Sequence, residues 1–423
     1  MTAHDACYAH YLELAERSGF IDSLDTAVIF YDVSVLARQV DRVRAAFPRQ
    51  SIHAIAVKTN PLLCVLRRAA ELGLAAEVAS HGELLLAERA GFGSRVIWDS
   101  PVKTREEIGH AEHMDLALIN ADSLAELSLH EPAGGLLGLR INPEIAPVGI
   151  ASLSTGVRSS KFGTPISDRE GIISAFLRHP RLRALHVHSG SNPVALAPLV
   201  HGIRQVMDLA LDINRALTRE GHRDLVRTID IGGGLPLANP ENDELSVEAY
   251  ARSLEDSCPE LFDGDFTVAT EFGRYYHGAA SWTVARVHAV KPFPNGHNVI
   301  VHVGADHFVR EAYDGRNWKL QFDVIPGPGR QTTDDVTELR GCRIAGPLCF
   351  EGDVIANDVS LPPVEEGDFL VIKNTGANTY SLWSRHCSRL FPKVITFSSA
   401  NGGADMVVGR HRESPEDLVR FWS

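Results

Sequence analysis

The chain has 423 residues, too many for one small core, so two domains or one large barrel with an addition is expected. Its formal net charge of −13 excludes the basic face that a nucleic-acid partner would need. With 44% hydrophobic and 22% charged residues the composition is that of a soluble globular protein, and no apolar stretch reaches the roughly 18 residues of a membrane helix.

The opening "MTAHDACYAHYLELAERSG" is polar and amphipathic and lacks a signal-peptide core, so a cytoplasmic location is expected. "AVIFYDVS", from Ala27, reads as an early strand. Eight short apolar runs then read as buried parallel strands: "IHAIAV" from Ile52, "AAEVAS" from Ala75, "RVIWDS" from Arg95 and "DLALIN" from Asp115, followed by "LLGLRIN" from Leu136, "ALHVHS" from Ala184, "VRTIDIG" from Val226 and "TVATEF" from Thr267. Helical patterns lie between them. "NPLLCVLRRAAELG" has a proline in its first turn and a glycine at its end, and "SHGELLLAERAG" offers Ser80 and Glu83 as a capping box. This alternation predicts βαβ units, and eight of them predict a closed (β/α)8 TIM-type barrel, with an open doubly wound sheet as the alternative. From His277 the pattern changes. "ASWTVARVHAVK", "HNVIVHVGA", "LQFDVIPG", "CRIAGPL" and "FLVIKNTG" are strands separated by turns, which predicts a mostly antiparallel C-terminal β domain. The expected domains are the barrel over 32–277 and a β domain made of 1–31 with 278–423. The six cysteines (Cys7, Cys64, Cys258, Cys342, Cys349, Cys387) are scattered without a CxxC pair, so reduced thiols and no metal site are expected.

Barrel chemistry sits at the C-terminal ends of the strands. The polar residues expected there are Lys58, Glu77 with Ser80, Arg140 with Asn142, His188, the run "DIGGGLP" and Glu271 with Arg274. Each has a bland reading: a lone His188 is usually a satisfied core histidine, a triple glycine a tight turn, and Arg274 a partner for Glu271. Their joint placement favours a site. Gly232, Gly233 and Gly234 free consecutive N–H groups for an anion, and Gly273 and Arg274 add close approach and positive charge. A phosphate site, a lysine and a carboxylate are what pyridoxal 5′-phosphate requires.

"AVKTNP", "EVASHGEL", "HVHSGSN", "DIGGGLP", "EFGRYY" and "GPLCFEGDVI", in this order, resemble the motifs of the fold-type III pyridoxal-phosphate decarboxylases, the diaminopimelate and ornithine decarboxylases and their relatives. The resemblance spans about residues 26 to 397. It implies that Lys58 is the Schiff-base lysine and that His188 stacks on the cofactor ring. It implies further that Glu271 meets the pyridine nitrogen, and that Ser191, Gly232, Gly233, Gly234 and Arg274 hold the phosphate. Glu77, Arg140 and Gly273 complete the cofactor set. Cys349, as proton donor, and Asp353 would reach into a neighbouring copy's site, which implies a head-to-tail homodimer with shared active sites.

The chain also departs from the pattern. Glu77 stands where aspartate is usual, and Phe272 where proline is. Phe350 follows the cysteine where an acidic residue commonly meets a distal amine, with Glu351 displaced by one. Asn378 replaces a phosphate-binding tyrosine; Tyr380, two positions on and roughly 7 Å away along a strand, is the substitute. Arg310 and Tyr313, in "HFVREAY", resemble a substrate-binding element. These departures point to an amino-acid substrate, free or carrier-bound, that is not a simple diamino acid. Its distal end would be apolar, amide-like or anionic, the last held by Arg310, and its setting secondary metabolism. The alternatives are a racemase, epimerase or other Cα-carbanion enzyme, and a catalytically inactive pyridoxal-binding regulator.

Overall fold

The computed structural model describes residues 5–131, 134–237, 243–330 and 338–423, with side chains from Cys7 onward. It separates into two compact units: 37–276, and a second built from both chain ends, 1–36 with 277–423.

In the first unit eight parallel strands follow one another: β1 Ile52–Ala56, β2 Ala75–Val78, β3 Val96–Asp99, β4 Leu118–Ala121, β5 Leu137–Asn142, β6 Leu182–His186, β7 Thr228–Asp230 and β8 Thr267–Phe272. β8 pairs with both β1 and β7, and β4 pairs with both β3 and β5, so the sheet closes on itself. Closure excludes the open doubly wound sheet. Helices separate the strands, except between β4 and β5, where the chain makes only a 3-10 turn at Glu126–Leu129. Helix Leu63–Glu71 starts two residues after Pro61, which therefore precedes the helix and lies outside its first turn. Helix His81–Ala90 is capped by Ser80, which accepts from the Glu83 N–H at 3.2 Å; the Glu83 carboxylate reaches back to the Ala79 N–H at 2.8 Å, one residue short of a full capping box. Gly91, at φ +88°, closes that helix in the left-handed conformation.

The barrel floor is made of Ala54, Ala75, Ile97, Leu118, Ala184 and Ala269, one residue from each of six strands. Side chains on a strand repeat every two residues. Two positions further along, the same inner face therefore carries Glu77, Asp99, Asn120, His186 and Glu271, and neighbouring registers add Arg140 and Asp230 opposite His186. An apolar floor below a charged layer follows from this period.

The second unit is a nine-stranded sheet of mixed pairing, mostly antiparallel. The early strand, Ala27–Asp32, pairs antiparallel with the long strand Ser281–Phe293 and parallel with Lys393–Phe397. The N-terminal helix Asp5–Arg17 packs Tyr11, Leu12 and Ala15 into the core of this sheet, against Phe30, Trp282 and Phe397. Strands Val354–Leu361, Lys393–Phe397 and Val407–Arg410 add to those expected from the sequence. Among the described residues no helix is long and apolar enough to cross a membrane.

Candidate active site

The charged layer lies at the C-terminal ends of the barrel strands. Glu77, Asn120, His186 and Asp230 are fully buried, and Asp99, Arg140 and Glu271 nearly so. Arg140 donates to Asp99 at 2.9 Å and stacks its guanidinium 4.4 Å from the centre of the Phe162 ring. His186 stands between two carboxylates, with Nδ1 3.4 Å from Asp99 Oδ1 and Nε2 3.6 Å from Glu271 Oε2. Burial alone would push His186 down; Asp99, Glu271 and Asp230 outweigh it and hold the imidazole well above its ordinary value. Burial likewise pushes Asp99 up, but Arg140 and His186 hold it well below the usual carboxylate range. Asp230 is raised to about 8, by burial first and by Glu271 second; it accepts from the Gly232 N–H at 3.0 Å and from Asn120 Nδ2 at 3.1 Å.

Lys58 leaves β1 in a 3-10 turn, Val57–Thr59, and its Nζ donates to Glu77 Oε2 at 2.5 Å. Its side chain is 46% exposed, whereas Glu77 is sealed off. The amine thus stands in an open mouth whose floor is anionic. Burial of its surroundings would lower the ammonium, but Glu77, Glu271 and Asp99 raise it above its ordinary value. Oxygens of Glu77, Asp99 and Glu271 lie within 4.8 Å of one another, and so do ring nitrogens of His186 and His188 and an oxygen of Glu271. The structure therefore brings Lys58, Glu77, Arg140, His188, Glu271 and the glycine run to one end of the barrel.

The glycine run departs from expectation. Two of its three amides are engaged by the protein: Gly232 N–H on Asp230, and Gly233 N–H on His188 Nδ1 at 3.0 Å. Its consecutive N–H groups are therefore not all free for an anion. The run instead provides close approach, since a Cβ on Gly232 would come within 2.7 Å of the Val187 carbonyl and one on Gly233 would collide with the Glu271 carbonyl. Gly273 is equally constrained by Thr59. The Gly233 bond fixes the His188 tautomer, with Nδ1 as acceptor. Burial, then Arg140, Lys58 and His186, push that imidazole well below its ordinary value, so it is neutral. Ser191 is placed by its N–H on the Leu153 carbonyl at 3.3 Å, and Arg274 opens the short helix Arg274–His277 after β8.

This donor set fits pyridoxal phosphate. It contains an amine, a neutral imidazole, backbone without room for side chains, and a buried carboxylate oxygen, Glu271 Oε1, with no hydrogen-bond partner among the described residues. The family described as "Pyridoxal-dependent decarboxylase, pyridoxal binding domain" matches residues 33–278. The diaminopimelate decarboxylase of Deinococcus radiodurans is 31% identical over 93% of this chain and 94% of its own. That of Aquifex aeolicus is 26% identical over 97% of both. A crystal structure of the Helicobacter pylori diaminopimelate decarboxylase, complexed with L-lysine, superposes with a TM-score of 0.83 at 25% identity, covering 97% of this chain and 99% of that one. The chain belongs to the fold-type III pyridoxal-phosphate-dependent decarboxylases. Its cofactor is pyridoxal phosphate, and its reaction class is amino-acid decarboxylation rather than racemisation or cofactor binding alone. The relatives' names stand against the expectation, drawn from Phe350, of a substrate other than a diamino acid.

The remaining expected residues of the decarboxylase lie in its β-rich unit. Cys349 is exposed. Phe350 packs on His386 at 5.2 Å between ring centres, and both line a cavity of 380 Å³ with Tyr313 and Leu348. Tyr313 is 70% exposed. Glu351 points to solvent and pairs with Arg343 at 3.2 Å; its segment is turned, not extended. Arg310 stacks 4.8 Å from the centre of the Trp318 ring, and its buried Nη1 has no partner among the described residues.

Two expectations are corrected. Tyr380 does not replace the tyrosine lost at Asn378 as a phosphate ligand. Residues 374–380 form a turn, with Asn374 and Asn378 at positive φ, and the Tyr380 hydroxyl is buried against Ser281 at 2.6 Å and Thr375 at 2.8 Å. Asp353 does not reach outward. Its buried carboxylate accepts from the Ala305 N–H at 2.6 Å and the Leu348 N–H at 2.5 Å, which ties two loops together.

Sequence reasoning missed Asp99, Asn120 and His186, and named Asp230 only as the start of the run "DIGGGLP". Each is a polar residue two positions beyond a barrel-floor residue or in register with one that is, a relation visible only once the floor residues are known.

Proposed function

We propose that the substrate is a diamino acid with a second carboxylate, of the diaminopimelate type, and that one Cα carboxylate is lost as carbon dioxide. The observation that carries this reading is Arg310, whose buried Nη1 has no partner among the described residues and whose guanidinium carbon lies 4.8 Å from the centre of the Trp318 ring. A fixed, desolvated guanidinium matches a carboxylate bidentately. Loss of one carboxyl group from diaminopimelate leaves lysine, the ligand named for the Helicobacter pylori relative. The apolar Phe350 remains unfavourable to a bare distal ammonium, which would be buried without a partner.

Bound pyridoxal phosphate supplies an aldehyde that condenses with amines and a protonated ring that accepts the electron pair left when carbon dioxide departs. In this reading Lys58 would hold the aldehyde, and Glu77 would hold its ammonium in the charged form until the amine releases its proton. Glu271 would hold a proton on the ring nitrogen through Oε1, and His188, neutral and held by Gly233, would meet the ring face. Gly232, Gly233, Gly234, Ser191, Gly273 and Arg274 would hold the phosphate. Cys349 would supply the proton that replaces the carboxylate, acting in a neighbouring copy of a head-to-tail homodimer.

Carbon dioxide release from diaminopimelate, ornithine, lysine and apolar amino acids tests the substrate. Diaminopimelate should exceed the others in kcat/KM, and Arg310→Ala should remove that preference; a preference that survives in the variant overturns the assignment. Mixing inactive Lys58→Ala with inactive Cys349→Ala chains should restore partial activity if sites are shared between copies. No recovery in a proven mixed dimer overturns that part.

A further inference from the structure

We infer that His186 is a positioning residue for the decarboxylation: a buried cation behind Glu271 that keeps the shared proton on the cofactor's ring nitrogen. The inference rests on the reading of Glu271 as the partner of that nitrogen. The two oxygens of Glu271 have different surroundings. Oε2 faces His186 Nε2 at 3.6 Å, while Oε1 is buried with no partner among the described residues. One carboxylate can therefore serve a cation on each side. The other ring nitrogen of His186 faces Asp99 Oδ1 at 3.4 Å, and Asp99 is itself anchored by Arg140. His186 has no exposure at all, so neither water nor salt can replace its charge.

The charges facing this histidine come from several strands. Asp99 lies on β3, Arg140 on β5, Asp230 on β7 and Glu271 on β8, while Glu77 lies on β2 and Lys58 in the turn after β1. Carboxylates therefore face His186 from two sides, Asp99 from β3 and Glu271 from β8, while Arg140 behind Asp99 is shared with Asp122 at 3.9 Å. A neutral His186 would leave one carboxylate uncompensated in a buried layer. Glu271 stands closer to that change than the ring nitrogen does, so a proton shared between them would move to Glu271. The ring would then be a weaker electron sink although every group touching the cofactor is still present.

The test uses holoenzyme loaded with pyridoxal phosphate carrying ¹⁵N in the ring, read by NMR at pH 8 beside kcat and KM. The wild type should show a protonated ring nitrogen, and Glu271→Gln should shift the signal to the neutral position. His186→Gln should shift it in the same direction and lower kcat by about tenfold or more, with KM changed far less; in the Glu271→Gln background it should add little, because coupled residues are non-additive. If Glu271→Gln leaves the signal unmoved, the reading of Glu271 fails. If Glu271→Gln moves it and His186→Gln does not, the role of His186 alone is overturned. Should His186→Gln not fold, ¹⁵N-histidine NMR of the wild-type holoenzyme decides: a doubly protonated His186 at pH 8 supports the inference, and a neutral one overturns it.

Discussion

Glu77→Gln should speed the loading of cofactor-free protein. The amine of Lys58 must be unprotonated to attack an aldehyde, yet Glu77 lies 2.5 Å from it, with Asp99 and Glu271 behind. Glutamine keeps the shape and removes the charge. An adjacent opposite charge changes the protonation balance of a buried group by roughly 10- to 1000-fold. Lys58 is 46% exposed, and Asp99 and Glu271 remain. Solvent screening therefore selects the lower end, roughly tenfold more free amine at fixed pH. The assay is stopped-flow absorbance of cofactor uptake at pH 7–9 over a range of cofactor concentrations. The loading rate of the variant should be about tenfold higher at pH 8, and both rates should still rise with pH across this range. Lys58→Ala, in parallel, must lose the borohydride-trapped adduct. Loading that is unchanged or slower in Glu77→Gln, with the adduct still on Lys58, refutes the reasoning.

Tyr380→Phe removes a hydroxyl held by Ser281 and Thr375, leaving those groups short of a partner. It should cost about 1–3 kcal/mol in urea unfolding while cofactor affinity stays within about threefold; the opposite pattern would return Tyr380 to the phosphate site. Burial pushes His277 down to about 3, and its Nδ1 contacts the Tyr31 hydroxyl at 2.8 Å. The unfolded chain binds a proton at His277 below about pH 6.5 and the folded chain does not, so this contribution is complete above that value and is lost as pH falls towards 3. From pH 7 to pH 5 the loss from this residue is roughly 2 kcal/mol. Urea midpoints at the two pH values should therefore lie further apart in the wild type than in His277→Asn; equal losses in both would show that His277 is not the group responsible.

The barrel was legible because strands buried on both sides read as short apolar runs, and those runs alternate with helical periods. Lys58, Glu271 and the glycines were legible because each breaks such a run at its end. His186 was not. It sits one residue from Val187 and two from His188 in "ALHVHS", and an inward polar residue inside a closed sheet has no signature until the floor residues Ala184 and Ala269 show which face is inner. The turn at 374–380 was hidden for another reason. Asn374 and Asn378 adopt positive φ that tertiary packing imposes, so strand spacing misplaced Tyr380. Strand Val354–Leu361 carries Asn357 and Asp358, the latter at φ +55°, which disguised it as a loop.

The position of Asp353 bears on how this scaffold can change its specificity. Gly304 and Gly346 crowd its carboxylate so closely that neither could carry a side chain, and the amides of Ala305 and Leu348 close on it from two loops. The course of the segment bearing Cys349, Phe350 and Glu351 is thus set from behind, by an anchor that none of the three provides. Beside Cys349, Phe350 and Glu351 form an exchangeable cassette: selection can rewrite them without renegotiating the fold. A library confined to Phe350 and Glu351 should yield a high fraction of folded variants, whereas the same diversity at Asp353 should yield few.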